Sequence, residues 1–504
     1  MSNRKKIKWN FVSSLCSQII LIAMGLVIPR ITMVGYGSEV NGLLTSVLQF
    51  IGYLTLFEAG IQAVATKALY QAMGANGDNK SEINSILAAV HINYKKTGML
   101  YFGGLFVLSV VYPFIARCTS LDYFTVFFVV FFSGLGNVVL FFFQGKYKIL
   151  LSAQGKGYLF TNVNTIISIL NHVLKIILLL MECNVALVVA SSFVVSLGQA
   201  VYIYLYMWKS KEYDWLDLTV TPQNEALQQN KQALIHQISY LIFSNTDVIL
   251  LTLFCNLKVV SVYTIYKFVV TNLATFLIIP LNSSEFALGQ LYHKDKVLFK
   301  KRIDTMEVFF SSLVFAVFAV VLYLYVPFLS LYTASVTDIN YLDYSIAILF
   351  VVVELLTFMR YPMLRVISFA GHFKETLLRT IIETIINLVV SCVGVFLFGI
   401  RGVLAGTVVA LLYRTFDIIV YSNKRLLARS PKKTISIYAI NILIFVLITV
   451  CSHLVNPVIE NYVDFFIIGV IATIVSIVVF FVVNLLLHKQ ERCIAFEILR
   501  QRKS

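Results

Sequence analysis

The chain has 504 residues, of which 59% are hydrophobic and 13% are charged, and its formal net charge is +15. Soluble domains carry roughly 45–50% apolar and about 25% charged residues, so this composition excludes a soluble globular protein. The positive charge would suit a nucleic acid, but in a membrane protein it is typical of cytoplasmic loops that face anionic lipid. We therefore expect an integral membrane protein with no nucleic-acid partner.

Apolar runs long enough to cross a bilayer recur along the whole chain. A helix needs about 20 apolar residues to span the hydrocarbon core, whereas a β-barrel strand alternates apolar and polar residues. The runs 123–143 and 465–487 show no alternation. The sequence predicts an all-α polytopic membrane protein with about 14 transmembrane helices. In chain order the predicted spans are 9–34, 39–70, 86–116, 120–143, 157–181, 183–208, 233–256, 258–285, 305–333, 339–369, 373–399, 401–424, 433–455 and 463–487.

The basic residues are distributed unevenly between the two ends of these spans. If the N-terminus is cytoplasmic, most of the 40 Lys and Arg residues fall in inner segments such as 4–8 and 294–302. The outer segments then hold only Arg30, Arg117, Lys258 and Arg401. This asymmetry follows the positive-inside rule. Together with the even number of spans, it predicts that both termini lie in the cytoplasm.

A weak internal repeat suggests how the spans are organised. Residues 166–171 align with 382–387, so spans 4–6 resemble spans 10–12. Parallel repeats related by an axis along the membrane normal are a known transporter architecture. We therefore predict an N-terminal lobe (1–208), a cytoplasmic linker (209–232), a C-terminal lobe (233–430), and a final segment (431–504) with two terminal helices and a cytoplasmic tail.

Residue patterns typical of enzymes are missing from the sequence. The seven cysteines are widely separated, and the seven histidines show no metal-binding spacing. No phosphate-binding glycine loop of the Walker type occurs. The pair Gly402 and Gly406 is a small-xxx-small motif, which is typical of helix packing. We expect neither an enzyme nor a cofactor.

Charged residues within the spans are the main functional candidates, because each costs roughly 2.5–3.5 kcal/mol at a helix centre. Arg379 with Glu383 and Arg414 with Asp417 have spacings that allow neutralisation on one helix. The other cations predict a cationic cavity for an anionic passenger such as a lipid-linked pyrophosphate. These pyrophosphate-binding candidates are Arg30, Lys175, Lys267 and Arg360.

Three carboxylates, Glu58, Asp247 and Glu354, lie within predicted spans and have no basic residue three or four positions away. A buried carboxylate can exchange H⁺ or bind Na⁺ together with neighbouring polar oxygens. Asp247 follows Ser244, Asn245 and Thr246, which is the most polar environment of the three. We predict that these residues form a cation-coupling site, and that Na⁺ at Asp247 is the one metal ion that the chain could bind.

The first two spans carry a resemblance to a known family. The first ends in Val-Ile-Pro-Arg (27–30), and the second opens with Gly-Tyr-Gly-Ser-Glu-Val-Asn-Gly-Leu (35–43). With two six-helix lobes and two terminal helices, the chain resembles the Wzx-type polysaccharide flippases of the multidrug/oligosaccharidyl-lipid/polysaccharide exporter superfamily. The resemblance implies that undecaprenyl-pyrophosphate-linked oligosaccharide repeat units move by alternating access from the cytoplasmic to the outer leaflet of the bacterial cytoplasmic membrane. It also implies capsule, exopolysaccharide or O-antigen assembly, with a polysaccharide polymerase and glycosyltransferases as partners.

The same resemblance implies where a coupling ion and a lipid tail bind. In the related lipid II flippases a sodium site lies between helices 7 and 11, which points by position to Asp247, Glu383 and Asn387. Whether Na⁺ or H⁺ is coupled stays open. The two terminal helices of those relatives line a groove for the lipid tail, and the corresponding spans here are nearly free of internal charge.

Four other functions are alternatives to this one. A lipid II-type peptidoglycan precursor flippase is the nearest alternative. A multidrug exporter of organic cations would favour a lumen rich in carboxylates. A membrane glycosyltransferase or polymerase usually needs a carboxylate or His cluster near a membrane face. A scaffold would not need unpaired charges within its spans.

Overall fold

The computed structural model describes residues 3–58, 60–74, 79–227, 231–455 and 459–501. Within these ranges every regular element is helical. The helices are α1 (Asn3–Leu54), α2 (Ile61–Gly74), α3 (Lys80–Ala116), α4 (Tyr123–Val139), α5 (Gly145–Ala153), α6 (Gly157–Leu180), α7 (Val185–Lys209), α8 (Lys231–Phe254), α9 (Leu257–Leu277), α10 (Ile279–Lys294), α11 (Lys296–Tyr332), α12 (Tyr344–Ala370), α13 (Phe373–Phe398), α14 (Ile400–Tyr421), α15 (Lys432–Val455), α16 (Tyr462–Leu487) and α17 (Lys489–Gln501).

The helices confirm the predicted class of fold. Among the described residues, 13 helical segments are long and apolar enough to cross a membrane. The predicted number of about 14 is consistent with this, because the first two predicted spans join in α1. The backbone of α1 is kinked at Gly37, where φ is 85° and ψ is 166°. Glycine adopts a positive φ at no steric cost, so the chain can change direction there.

The second predicted span, 39–70, is interrupted, whereas the sequence predicted one continuous helix. Helix α1 ends at Leu54, a 3₁₀ turn covers Thr55–Glu58, and α2 begins at Ile61. Gly60, just before α2, has a φ of 86°. Apolar residues continue through this region, so hydropathy alone gives no sign of the break.

The ninth predicted span begins earlier than expected. Helix α11 starts at Lys296 instead of residue 305, because the side chain of Asp295 accepts hydrogen bonds from the backbone N–H groups of Val297 and Leu298. The first turns of α11 carry Lys300, Lys301 and Arg302. A prediction based on apolar runs excludes such charged turns, although they are helical.

The chain divides into two compact units, Met1–Ser261 and Val262–Ser504. In the first unit α1 packs against α6 and α8, and α4 packs against α3 and α7. Its core includes Leu43, Val47, Leu87, Tyr101 and Leu105. The lobe boundaries at 208 and 233 stay a prediction, because a division by compactness does not report where the repeat ends.

In the second unit α11 packs against α12, α15 and α16, and α13 packs against α14. The α13–α14 contact is tight. A Cβ on Gly402 would lie 1.8 Å from the carbonyl oxygen of Gly394, and one on Gly406 would lie 2.3 Å from Oγ of Ser391. The small-xxx-small pair therefore packs two helix backbones together.

We expect Gly402→Ala to destabilise the protein by about 1–3 kcal/mol, because the added methyl group forces α13 and α14 apart. Gly103→Ala in α3 is the matched control, since a Cβ there meets nothing within 4 Å. Alanine also favours a helix over glycine, so this control should be neutral or slightly stabilising. Thermal unfolding in detergent measures both, and equal melting temperatures for the two variants would contradict the tight contact.

The predicted topology leads to a labelling experiment. In a cysteine-free background, Thr219→Cys reports on the linker and Thr337→Cys on the segment between α11 and α12; both threonines are exposed. A membrane-impermeant maleimide should label the second variant in intact cells and the first only after permeabilisation, because the positive-inside rule puts the linker in the cytoplasm. Labelling of the linker variant from outside would refute the topology.

Candidate functional site

Charged residues of α12, α13 and α14 meet inside the second unit. An Nη of Arg360 lies 2.5 Å from one carboxylate oxygen of Glu383, and Nε of Arg414 lies 3.4 Å from the other. The side chains of Glu383 and Arg414 are only 8% and 5% exposed. Glu383 thus joins two guanidinium groups from different helices in a buried position.

Asp417 forms the second half of this cluster. It accepts a hydrogen bond from Arg414 at 2.7 Å and forms an ion pair with Arg379. The guanidinium of Arg379 also lies over the ring of Tyr421, 4.6 Å from its centroid. Three guanidiniums (Arg360, Arg379, Arg414) therefore face two carboxylates (Glu383, Asp417), and one positive charge is in excess; we call these five residues the arginine cluster.

The structure tests the two ion pairs that helical spacing predicted. The pair of Arg414 with Asp417 is confirmed. The pair of Arg379 with Glu383 is wrong, because Arg379 reaches across to Asp417 on α14 and Glu383 binds Arg360 and Arg414. The close packing of α13 on α14 brings Asp417 within reach of Arg379.

Lys267 and Glu354 add to the charges of the second unit. Nζ of Lys267 lies 5.7 Å from the ring centroid of Tyr263. The charges of Lys267 and Arg360 both act on the carboxylate of Glu354. Two of the predicted pyrophosphate-binding residues and two of the predicted coupling residues, Glu354 and Glu383, are therefore electrostatically linked within one unit.

Asp247 is only 4% exposed and lies in a polar seam of the first unit, where α1 faces α8 and the start of α9. The seam contains three hydrogen-bonded pairs, at 2.6 to 3.1 Å. They are Ser46 with Thr252, Tyr53 with Thr246, and Asn41 with Ser261. Arg30 is on the same α1, nearer its start. Buried polar groups that are hydrogen-bonded in this way hold neighbouring side chains in one geometry.

Glu58 ends the 3₁₀ turn at the break between α1 and α2. Its carboxylate accepts a hydrogen bond from the hydroxyl of Tyr94 at 2.6 Å. It also lines a cleft of about 490 Å³ together with Lys67 and Gln237. A carboxylate that opens into a polar cleft is accessible to a cation, which is compatible with its predicted role.

Lys175 lies on α6 in the first unit and is half-buried. It faces away from the exposed apolar residues Ile166 and Leu170 of the same helix. Among the residues that the structure describes, its ammonium has no ion pair or hydrogen bond. Arg360, in contrast, is paired, so the four predicted cations are not equivalent.

The predicted sodium ligands belong to both units: Asp247 to the first, and Glu383 and Asn387 to the second. The amide of Asn387 is fully buried and donates to the hydroxyl of Thr407 at 3.0 Å. A sodium ion at Glu383 would have to displace two guanidinium groups. In the described parts of the chain, no group of three or more His, Cys, Asp or Glu side chains is placed to hold a metal ion.

A further charged cluster was missed by the sequence reasoning. Lys433 contacts Asp304 at 2.5 Å and Glu491 at 2.7 Å, and Arg429 contacts Asp304 and the fully buried Glu307. Glu307 falls in the first turn of a predicted span, where a charge is easily taken for a helix end. The cluster therefore joins α11 to the segment around the start of α15, and joins that segment to α17.

Two members of this cluster that lie outside the membrane-spanning helices, Arg429 and Glu491, have shifted pKa values. Burial lowers the pKa of the Arg429 guanidinium to about 10. Burial by itself would raise the pKa of Glu491, but the hydrogen bond from Lys433, a backbone hydrogen bond and the nearby positive charges together outweigh it, and the pKa lies below its usual range. Both groups therefore stay charged at neutral pH, and the cluster is a permanent ionic connection.

Neither family models nor curated proteins match this sequence. Solved structures do match. An inward-closed lipid II flippase MurJ has a TM-score of 0.63 at 13% identity, covering 95% of this chain and 99% of that one. An inward-facing multidrug resistance MATE family transporter of the MOP superfamily has a TM-score of 0.55 at 17% identity, covering 84% and 99%. A Vibrio cholerae MATE transporter has a TM-score of 0.53 at 16% identity, covering 85% and 98%.

These similarities define the fold of the chain. It is a multi-pass membrane protein whose fold is similar to that of a lipid II flippase and of MATE transporters of the MOP superfamily. Within that fold, the flippase structure covers more of this chain than either MATE transporter does. The narrower Wzx-type assignment stays a prediction, and fold alone does not identify the substrate.

Proposed function

We propose that the chain is a flippase that moves undecaprenyl-pyrophosphate-linked oligosaccharide repeat units from the cytoplasmic to the outer leaflet of a bacterial cytoplasmic membrane. The observation that carries the proposal is the excess positive charge within the membrane-spanning helices. The arginine cluster has one more cation than anions, and Lys175 has no acidic partner among the described residues. Such charge is costly in a membrane and suits a pyrophosphate.

The two terminal helices support a lipid-linked substrate. Helices α11, α15 and α16 line an apolar groove of about 630 Å³, whose walls include Val320, Leu447, Ile471 and Val475. An isoprenoid chain would fit such a surface, because burying its methylene groups there is favourable. An organic cation would need neither this groove nor the cationic residues. The MATE transporters also leave about 15% of this chain unmatched.

The proposed binding residues divide between the two units. Arg30 and Lys175 belong to the first unit and Lys267 and Arg360 to the second, and each is proposed as a pyrophosphate-binding residue. Lysine would act as a point charge and arginine as a planar fork. Asp247, Glu58, Glu354, Glu383 and Asn387 would couple the cycle to a Na⁺ or H⁺ gradient.

A lipid II-type flippase is the second candidate, and the structural similarity to MurJ favours it. Complementation separates the two. We expect the gene to restore polymer export in a strain that lacks its polysaccharide flippase, with lipid-linked intermediates no longer accumulating on the cytoplasmic leaflet. Rescue of a strain depleted of its lipid II flippase, without rescue of the first strain, would favour the second candidate. Failure in both strains would reject the proposal.

Asp247→Asn should weaken cation-driven transport at least tenfold while membrane insertion stays normal. The substitution keeps the size of the side chain but replaces one acceptor oxygen with a donating NH2 group and removes the charge that attracts a cation. Transport in proteoliposomes under imposed Na⁺ or H⁺ gradients measures the effect. Asn41→Asp in the same seam is a control for adding, instead of removing, a charge there.

Loss of ion coupling and loss of stability would have different effects on this variant. Asp247→Asn should lose its response to the gradient and keep its melting temperature. An unchanged dependence of transport on both gradients would show that Asp247 has no part in coupling.

A further inference from the structure

Helix α6 has two faces of opposite character. Its exposed apolar residues recur every three or four positions and form one face; they are Ile166, Leu170, Val173, Ile177 and Leu180. At 100° per residue, a second set of residues lies on the opposite side. This set is mostly polar and consists of Thr161, Asn164, Ser168, Asn171 and Lys175, with the apolar Leu179 at its end. The apolar face suits lipid, so the polar face is turned towards the interior of the first unit.

Helix α7 runs antiparallel to α6, after a connection of only four residues, and packs along it. The side chain of Gln199 donates a hydrogen bond to Asn164, which sets the register of the two helices. Asn171 is seven residues further along α6, and Ser192 is seven residues back along α7. Seven residues are about 10 Å of helix axis, so Asn171 and Ser192 lie at the same level.

Two polar atoms at this level are buried without a partner. Oδ1 of Asn171 and Oγ of Ser192 have no hydrogen-bond partner among the described residues. Each such atom costs about 1–3 kcal/mol. Two other asparagines, Asn387 and Asn484, also have a buried Oδ1 without a partner in the described parts of the chain, but their amide N–H groups donate to side chains of neighbouring helices, Thr407 and Asn441. At Asn171 and Ser192, two unpartnered oxygens lie at one level of the same helix pair.

We propose that the α6–α7 stripe, defined as Asn164, Asn171, Ser192 and Gln199, binds sugar hydroxyl groups of the transported glycan next to the proposed pyrophosphate contact at Lys175. This inference rests on the proposed flippase function and assigns the saccharide part of the substrate to the first unit. A sugar hydroxyl both donates and accepts, so it satisfies Oδ1 of Asn171 and Oγ of Ser192 together.

Other ligand classes fit the stripe less well. A phosphate suits the ammonium of Lys175, its proposed contact, but phosphate oxygens only accept and would leave Oδ1 of Asn171 without a donor. A sodium ion would be repelled by Lys175, which is one turn from Asn171 on the same face of α6. A sugar hydroxyl can donate to Oδ1 of Asn171 while a second one bonds to Oγ of Ser192.

Binding of two lipids to purified protein in nanodiscs tests the proposal. The probes are undecaprenyl pyrophosphate without sugar, and the undecaprenyl-pyrophosphate-linked saccharide that accumulates in cells lacking this protein. Asn171→Ala with Ser192→Ala should weaken binding of the saccharide-bearing lipid about tenfold, the loss expected for two hydrogen bonds. Binding of the lipid without sugar should stay within about twofold.

The matched control is Asn93→Ala with Ser191→Ala. Both side chains hydrogen-bond to their own helix, at Ala89 and Val188. This control should bind both lipids as the wild type does. Equal weakening of both lipids by the stripe variant, or no weakening, would overturn the inference while leaving the flippase proposal intact. Wild-type protein that binds neither lipid would overturn the flippase proposal and, with it, the inference.

Discussion

Lys267→Gln combined with Arg360→Gln should abolish export of the lipid-linked saccharide while the protein stays folded in the membrane. Glutamine keeps much of the side-chain volume but removes both charges. A charge-assisted hydrogen bond contributes about 1.5–3 kcal/mol, so losing two should weaken pyrophosphate binding by more than about a hundredfold. Polymer output in a complemented flippase-deficient strain, with lipid-linked intermediates on the cytoplasmic leaflet, measures the loss.

Single substitutions of Arg360 distinguish the effect of its positive charge from the effect of its planar geometry. Arg360→Lys should be milder than Arg360→Gln, because it keeps the charge and loses only the fork that binds two oxygens. Arg401→Gln is a control at an exposed arginine that pairs with Asp343, and it should export normally. Wild-type polymer output from the double variant would mean that Lys267 and Arg360 serve only structural pairing.

Glu383→Gln should destabilise the second unit by about 3–5 kcal/mol. Glu383 is the carboxylate that Arg360 and Arg414 share in a buried position. Its neutralisation leaves Arg360 without its carboxylate partner in the arginine cluster, and an uncompensated buried charge is strongly destabilising. Denaturant unfolding in mixed micelles, or the melting temperature in detergent, measures the effect.

Two further variants show whether the loss comes from the charge. Adding Arg360→Gln to Glu383→Gln removes the uncompensated guanidinium and should restore part of the stability, since the two residues are in contact. Glu212→Gln makes the same chemical change at the exposed pair with Lys156 and should cost less than about 1 kcal/mol. Equal losses at Glu383 and Glu212 would contradict the buried network.

Much of the fold could be predicted because, in a bilayer, the residues of one segment decide whether that segment is a helix. An apolar run of sufficient length must be a helix, since every backbone polar group has to be satisfied within the segment. Most predicted spans therefore correspond to single observed helices, although the second and the eighth are each divided between two, and the similarity to solved transporters confirms the class of fold. The ion pair of Arg414 with Asp417 could also be predicted from the sequence, because residues three apart on one helix are neighbours.

The candidate site was less predictable, because contacts between helices decide it. Spacing alone allowed Arg379 to pair with Glu383, yet the approach of α13 and α14 at Gly394 and Gly402 puts Asp417 nearer. The break after Leu54, the buried Glu307 and the level shared by Asn171 and Ser192 also depend on which helices pack together. The sequence alone determined a many-helix membrane protein with excess positive charge in its spans. Only the tertiary structure decided which charges are neutralised, because a partner on another helix cannot be read from distance along the chain.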